Sequence, residues 1–323
     1  MFAFVNILRA LATMLITNSH YSPIYEIDSF AKGGAFGNSL FFIITGFCLF
    51  HIRDSFKNWY IKRLERLYIP IFLVSWFHLY AGASFLETAF FSFIFPANYW
   101  FICCLVILYP IYYYIVMHPL KNRKLVWFSI LAVLYTIIYL LMDTSHYVVE
   151  TAGFYGIRFS YFVNLLLMLL GGYLRKHYTT FQEKLKNRKL IVALTSLCSF
   201  IFYFIFMIAM KRYPILYRFQ FVETIACLTA TYSLTLLAVS LESIFRDNQD
   251  SIVLRSLQYL GGCTLEIYLV QFPIINYVGS LRISAWMKFV IATSAILLTG
   301  IILKKISQFA IKKMHPTKRA ART

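Results

Sequence analysis

The sequence predicts an all-α fold: a polytopic bundle of about ten transmembrane helices with both termini in the cytoplasm. Of the 323 residues, 60% are hydrophobic and only 14% are charged. Apolar runs of about 17–20 residues recur along the chain, and each is long enough to cross a bilayer as a helix. Basic residues gather in alternate loops. If the N-terminus lies inside, about 23 of them fall on the inner side and about six on the outer side.

Each apolar run is assigned to one expected span. The spans are residues 2–18, 35–51, 67–85, 98–117, 125–142, 159–174, 191–209, 220–241, 257–275 and 286–303. Residues 1–303 are therefore expected to form one transmembrane domain, and residues 304–323 a basic cytoplasmic tail. The net charge of +18 comes mainly from basic residues in the inner loops and this tail. Enrichment of lysine and arginine in cytoplasmic loops is typical of membrane proteins. We therefore expect membrane lipid around the chain and no nucleic-acid partner.

The first span carries two ionisable residues, Arg9 and His20, with ten residues between them. Eleven steps along an α-helix cover about 16 Å and end about 20° from the starting direction, so both side chains share one face. A lone arginine can also reach the inner headgroups, and the histidine can be an ordinary loop residue. Ionisable groups inside spans usually face a cavity or a partner. Glu223 and Glu266, in the eighth and ninth spans, are the candidate acids for such a partnership.

Other polar residues stand near the ends of the expected spans. Arg63 and Arg66 precede the third span on its inner side, three residues apart, so a helix places them on one face. Two guanidinium groups there suit a phosphate-bearing ligand, although they also fit a topology anchor. Trp100 and Arg158 lie near the outer ends of expected spans. Together with Glu223 and Glu266 they are candidates for binding a sugar. Trp100 and Arg158 also fit the role of anchors at the membrane interface. We expect no metal site, because the cysteines lack metal-ligand spacing with histidines.

Four segments together resemble, in the same order, the motifs of the membrane acyltransferases of the acyltransferase type 3 family. They are Arg9 with His20, the segment GGAFGNSLFFIITGF at 33–47, Arg63 with Arg66, and LGGCTLEIYLVQFPI at 260–274. In that family they correspond to an arginine–ten residues–histidine motif, a glycine-rich entry to the second span, an inner Arg-x-x-Arg pattern and the penultimate span. The similarity covers most of the chain, and its most specific part lies in residues 1–75.

The sequence departs from the family pattern at two positions. Thr45 stands where serine is usual, and it keeps the hydroxyl group. Gln271 stands where many members have histidine, which argues against a catalytic role at that position.

The resemblance implies transfer of an acyl group, expected to be acetyl, from cytoplasmic acyl-coenzyme A to a carbohydrate hydroxyl. The acceptor would be a cell-surface or lipid-linked carbohydrate, and the protein would lie in the plasma (inner) membrane. Arg63 and Arg66 would hold the phosphates of coenzyme A, the donor substrate. Arg9 would stabilise negative charge on the donor or on the tetrahedral intermediate. His20 would meet the acceptor, either as a general base or as a transient acyl carrier.

Two other classes of protein share part of this pattern. A transporter or flippase for a glycolipid also needs polar groups at mid-membrane and many spans. Transport does not require an inner arginine pair together with the Arg9 and His20 face. A non-catalytic membrane sensor would tolerate replacement of His20.

Overall fold

The computed structural model describes residues 2–80, 99–118, 124–148, 153–154 and 157–314. This part of the chain is α-helical, as predicted. Its α-helices are α1 (Ala3–Ser19), α2 (Gly34–Leu49), α3 (Phe56–Tyr80), α4 (Trp100–Met117), α5 (Lys124–Leu141), α6 (Ser160–Lys176), α7 (Tyr178–Leu185), α8 (Lys189–Arg212), α9 (Gln220–Ser240), α10 (Glu242–Asp247), α11 (Ile252–Gly261), α12 (Thr264–Ser280) and α13 (Ala285–Met314). Two 3-10 helices span Asp28–Phe30 and Pro214–Phe219. Two strands, β1 (Gly153–Phe154) and β2 (Ile157–Arg158), pair antiparallel.

Within the described residues, 5 helical segments are long and apolar enough to cross a membrane. They are Asp28–Leu49, Trp100–Met117, Lys189–Arg212, Pro214–Ser240 and Ala285–Met314. Each overlaps an expected span. The apolar helix α1 is shorter, at 17 residues. The chain is therefore a helical membrane protein, while the count of about ten spans and the cytoplasmic placement of both termini stay predictions.

The expected ninth span, 257–275, is wrong as a single helix. Helix α11 ends at Gly261 and helix α12 begins at Thr264, with a turn between them. Two consecutive glycines stand at this break, and each costs a helix about 1 kcal/mol relative to alanine. Residues 257–261 therefore belong to α11, and α12 continues to Ser280.

The third and last expected spans have different bounds in the structure. Helix α3 begins at Phe56, ahead of the expected start at residue 67, and residues 81–85 of that span lie outside the described residues. Helix α13 runs on to Met314, so residues 304–314 of the expected tail continue this helix. Residues 315–323 of the tail lie outside the described part of the chain.

The chain divides into two compact units, and the first contains residues 1–12, 35–53 and 107–261. Within it, α2 crosses α6 at backbone contact. A Cβ added to Gly46 would lie 1.9 Å from the Met168 carbonyl oxygen, and one added to Gly171 would lie 1.8 Å from the Ile43 carbonyl oxygen. A side chain at either position would push the helices apart, so this crossing requires glycine.

The second unit contains residues 13–34, 54–106 and 262–323. Helix α12 packs along α13, and α3 packs against both of them. Gly300 of α13 faces Ile267 of α12, where an added Cβ would lie 2.8 Å from the Ile267 side chain. This packing holds α12 in place beside the C-terminal end of α1, which belongs to the same unit.

Candidate functional site

Helix α1 is continuous over Ala3–Ser19 and carries polar side chains at helical spacing. These residues are Arg9, Thr13, Thr17 and His20, and we call them the polar stripe. Steps of four, four and three residues bring each of them to the same side of the helix as its neighbour. Sequence reasoning found the two ends of the stripe and missed both threonines, although their spacing from Arg9 was the signal that could have found them.

His20 is the first residue after α1. Its backbone N–H donates to the Thr17 carbonyl oxygen at 3.1 Å, which continues the last turn of the helix. Its ring packs against the ring of Phe272 in α12, with 4.4 Å between the centroids. Burial lowers the pKa of His20 from its ordinary value. The imidazole is therefore neutral at neutral pH, which is the form that accepts a proton.

Two hydrogen bonds join the polar stripe to α12. The Thr13 hydroxyl donates to the Thr264 hydroxyl at 3.0 Å, and the Thr17 hydroxyl donates to Gln271 Oε1 at 2.9 Å. The contacts advance along both helices together, so this part of α1 and α12 run in the same direction. With the ring contact of His20, they fix the end of α1 against α12.

The segment after His20 folds back onto the end of α1. The Asn18 side-chain amide donates to the carbonyl oxygens of Phe30 and Lys32, at 2.8 and 2.9 Å. Gly33 follows with a φ of 106°, a left-handed conformation that side chains rarely adopt. The first glycine of the predicted glycine-rich entry is therefore required by this turn, which leads the chain from His20 into α2.

Arg9 lies in the first unit and is half-buried. Its Nη2 donates to the sulfur of Cys48 in α2 at 3.5 Å. Sulfur is a weak acceptor, and a guanidinium has five N–H donors in a planar array. Arg9 is therefore held toward α2 by a contact that a stronger acceptor, such as a carbonyl oxygen or phosphate, would outcompete.

The predicted inner arginine pair lies in α3, on one side of that helix. The guanidinium of Arg63 stacks over the Trp59 ring, 5.5 Å from its centroid. Arg66 is exposed. A third cation of this segment, Lys62, forms an ion pair with Asp54 at 2.5 Å. The arrangement places an anchored and an exposed guanidinium on one side of α3.

The family model that describes an acyltransferase domain, that of the acyltransferase type 3 family, matches residues 2–305. This chain belongs to that family. The identification made from four short segments is therefore confirmed, and it extends over nearly the whole chain. Neither a curated protein nor a solved structure matches the chain significantly.

The acyltransferase places Glu223 in a network at the start of α9. Tyr147 donates to Glu223 Oε2 at 3.0 Å. Beside it, Gln220 Oε1 accepts the Val148 backbone N–H at 2.8 Å, and Gln220 Nε2 donates to the His146 carbonyl oxygen at 2.9 Å. These bonds attach the segment before residue 148 to α9.

Glu266 lies in the first turn of α12 and is buried. Near it, Lys304 Nζ donates to the Cys263 sulfur at 3.7 Å, which brings a cation of α13 to this end of α12. The pairing of either glutamate with Arg9 or His20 stays a prediction, as does any contact of theirs with substrate.

The two remaining candidates of the acyltransferase lie at element ends. Trp100 is the first residue of α4, and its ring packs edge-on against Phe101 at 6.0 Å. Arg158 lies in β2, and its side chain is outside the described part of the structure. Sugar binding by these residues also stays a prediction.

Sequence reasoning missed Glu242, which caps the N-terminus of α1. Its side chain is only 1% exposed. Its two oxygens accept the backbone N–H groups of Ala3 and Phe4, at 3.0 and 2.9 Å, and Arg246 Nε donates to it at 3.1 Å. A carboxylate at this position satisfies two first-turn donors and interacts favourably with the helix dipole. The sequence signal that could have identified Glu242 is its position as an acidic residue directly after the apolar run of α9.

Proposed function

We propose that this acyltransferase moves an acyl group, expected to be acetyl, from acyl-coenzyme A to a hydroxyl of a cell-surface or lipid-linked carbohydrate. The proposal rests on one observation above others: a half-buried histidine, whose pKa burial lowers, at the end of a polar stripe in a chain of an acyltransferase family. The excess of basic residues in alternate loops favours cytoplasmic termini, and the family resemblance supports the plasma (inner) membrane as its location.

The proposed reaction begins with His20 as a general base. The imidazole takes the proton of the acceptor hydroxyl, and the hydroxyl oxygen attacks the carbonyl carbon of the thioester. The carbon–sulfur bond then breaks, the coenzyme A thiolate leaves, and the proton from His20 restores the thiol. A second route has His20 carry the acyl group between two such steps. The lowered pKa of His20 suits both routes, because a general base and a nucleophile each need the unprotonated ring.

The arginines would act on the negative charges of the donor. Arg63 and Arg66 would bind the phosphates of coenzyme A, because their guanidinium groups share one side of α3. Arg9 would stabilise negative charge that develops on the donor or on the tetrahedral intermediate.

The experiment compares surface glycans of cells that make the wild-type protein, the His20→Ala variant or no protein. Mass analysis should show one more acyl unit per modified residue in wild-type cells than in the other two. Radiolabelled acetyl-coenzyme A added to wild-type membranes should transfer label to the same glycan. If whole glycans disappear from the surface without the protein, the transporter alternative is correct. If His20→Ala cells keep the acyl unit, His20 has no part in the reaction.

A further inference from the structure

Gln271 of α12 is fully buried, and its side-chain amide is only partly hydrogen-bonded. Its Oε1 accepts the Thr17 hydroxyl at 2.9 Å. No acceptor among the described residues lies within hydrogen-bonding distance of its Nε2. Buried donors in folded proteins are nearly always paired, and an unpaired one lowers stability. A donor kept at that cost is typical of functional sites.

The unpaired amide lies beside the proposed base. Its partner Thr17 is three residues before His20 on the polar stripe. The next residue of α12, Phe272, packs against the His20 ring at 4.4 Å. All of these residues belong to the second unit, in which α12 packs against the end of α1.

We propose that Gln271 is a catalytic residue whose Nε2 donates a hydrogen bond to the acyl carbonyl oxygen during transfer. This inference rests on the proposed function. Attack by the hydroxyl oxygen moves the π electron pair of the carbonyl onto its oxygen, which becomes an oxyanion. When the intermediate collapses, the carbonyl bond re-forms and the carbon–sulfur bond breaks. A donor held rigidly beside the base stabilises the oxyanion more than the uncharged carbonyl, which lowers the barrier.

An amide neither takes up nor gives up a proton at neutral pH, so Gln271 cannot replace an acid–base histidine. The departure from histidine at this position argues against a catalytic role only on that ground. Hydrogen-bond donation needs no proton transfer, and the buried, unpaired Nε2 is suited to it. The Thr17 hydroxyl holds Oε1, which orients the amide and leaves the nitrogen without an acceptor among the described residues.

The test compares steady-state kinetics of purified wild-type protein with Gln271→Met, which keeps the side-chain length and removes the amide. We expect kcat to fall about 100-fold, as for loss of one oxyanion donor, while KM for the acceptor changes less than about threefold. The melting temperature in detergent should not fall. Loss of the hydrogen bond with Thr17 is destabilising, but removal of the buried, unpaired donor is stabilising and offsets it. Thr264→Val is the matched control, since it removes the other hydrogen bond between α1 and α12 and should leave kcat unchanged.

A second variant, Gln271→Glu, keeps the acceptor for Thr17 and lacks the amide donor. Its kcat loss should grow as pH rises and its carboxyl group ionises beside the developing oxyanion. The inference is overturned if Gln271→Met keeps kcat within about threefold of wild type, or if Thr264→Val loses as much. If either of these results is found while wild-type protein transfers acyl groups and His20→Ala does not, only the inference about Gln271 fails. If wild-type protein does not transfer acyl groups, the proposed function itself is refuted.

Discussion

Replacing Glu242 with glutamine tests whether this buried carboxylate holds the N-terminus of α1. The carboxylate accepts two backbone N–H groups and the Arg246 side chain, and it is 1% exposed. Glutamine keeps one acceptor oxygen and turns an amide nitrogen toward the second donor. One charge-assisted hydrogen bond of about 1.5–3 kcal/mol is lost, together with a dipole interaction of about 0.3–1 kcal/mol. We expect the free energy of unfolding to fall by about 2–3 kcal/mol.

Thermal unfolding in detergent measures this loss, which corresponds to a fall in melting temperature of about 4–6 °C. Hydrogen exchange of the Ala3 and Phe4 amides should also become faster, because one of them loses its acceptor. Arg246→Gln is the control: the Arg246 side chain is 61% exposed, so its ion pair contributes less than about 1 kcal/mol. Equal stability of Glu242→Gln and Arg246→Gln would refute the capping role.

The remaining predictions concern the reaction and the helix crossing. His20→Ala should abolish transfer. Moving the histidine to position 19 or 21 should also abolish it, because each step along a helix rotates the side chain by about 100°. Activity in a shifted variant would show that a flexible loop presents the histidine. In wild type, kcat/KM should rise with pH through an inflection below 6.5, because burial lowers the pKa of His20 and only the neutral base accepts a proton. Replacing Arg63 and Arg66 with glutamine should weaken binding of coenzyme A, measured by isothermal titration; unchanged affinity would make them topology anchors. Gly46→Val should lower the yield of folded protein in detergent chromatography, because its side chain collides with the Met168 carbonyl.

Local pattern was enough to predict much of the candidate site. Helical periodicity depends only on spacing along one segment, so Arg9 and His20 could be placed on one face of α1 without knowledge of its neighbours. The same holds for Arg63 and Arg66 in α3. Long apolar runs predicted a helical membrane protein for a similar reason, since each span satisfies its own backbone hydrogen bonds.

The glutamates show where such reasoning ends. Glu223 and Glu266 were proposed as partners of the polar stripe because acids inside spans need partners, but spacing does not say which helix supplies one. In the structure, Glu223 accepts a hydrogen bond from Tyr147, far along the chain. One acid that does meet α1 is Glu242, whose contact with Ala3 joins residues 239 positions apart. Only the packing of the helices decides such a pair.

By itself, the sequence determined the helical membrane class of this protein, the shared face of Arg9 and His20, and its membership of an acyltransferase family. Only the tertiary structure decided that the predicted ninth span breaks after Gly261, and that Gln271 turns its carbonyl oxygen to Thr17 and leaves its nitrogen without an acceptor among the described residues. The physical reason is that helix formation and amphipathicity arise from neighbours within one or two turns. The pairing of buried polar groups depends instead on which helices meet, at what depth and in which direction.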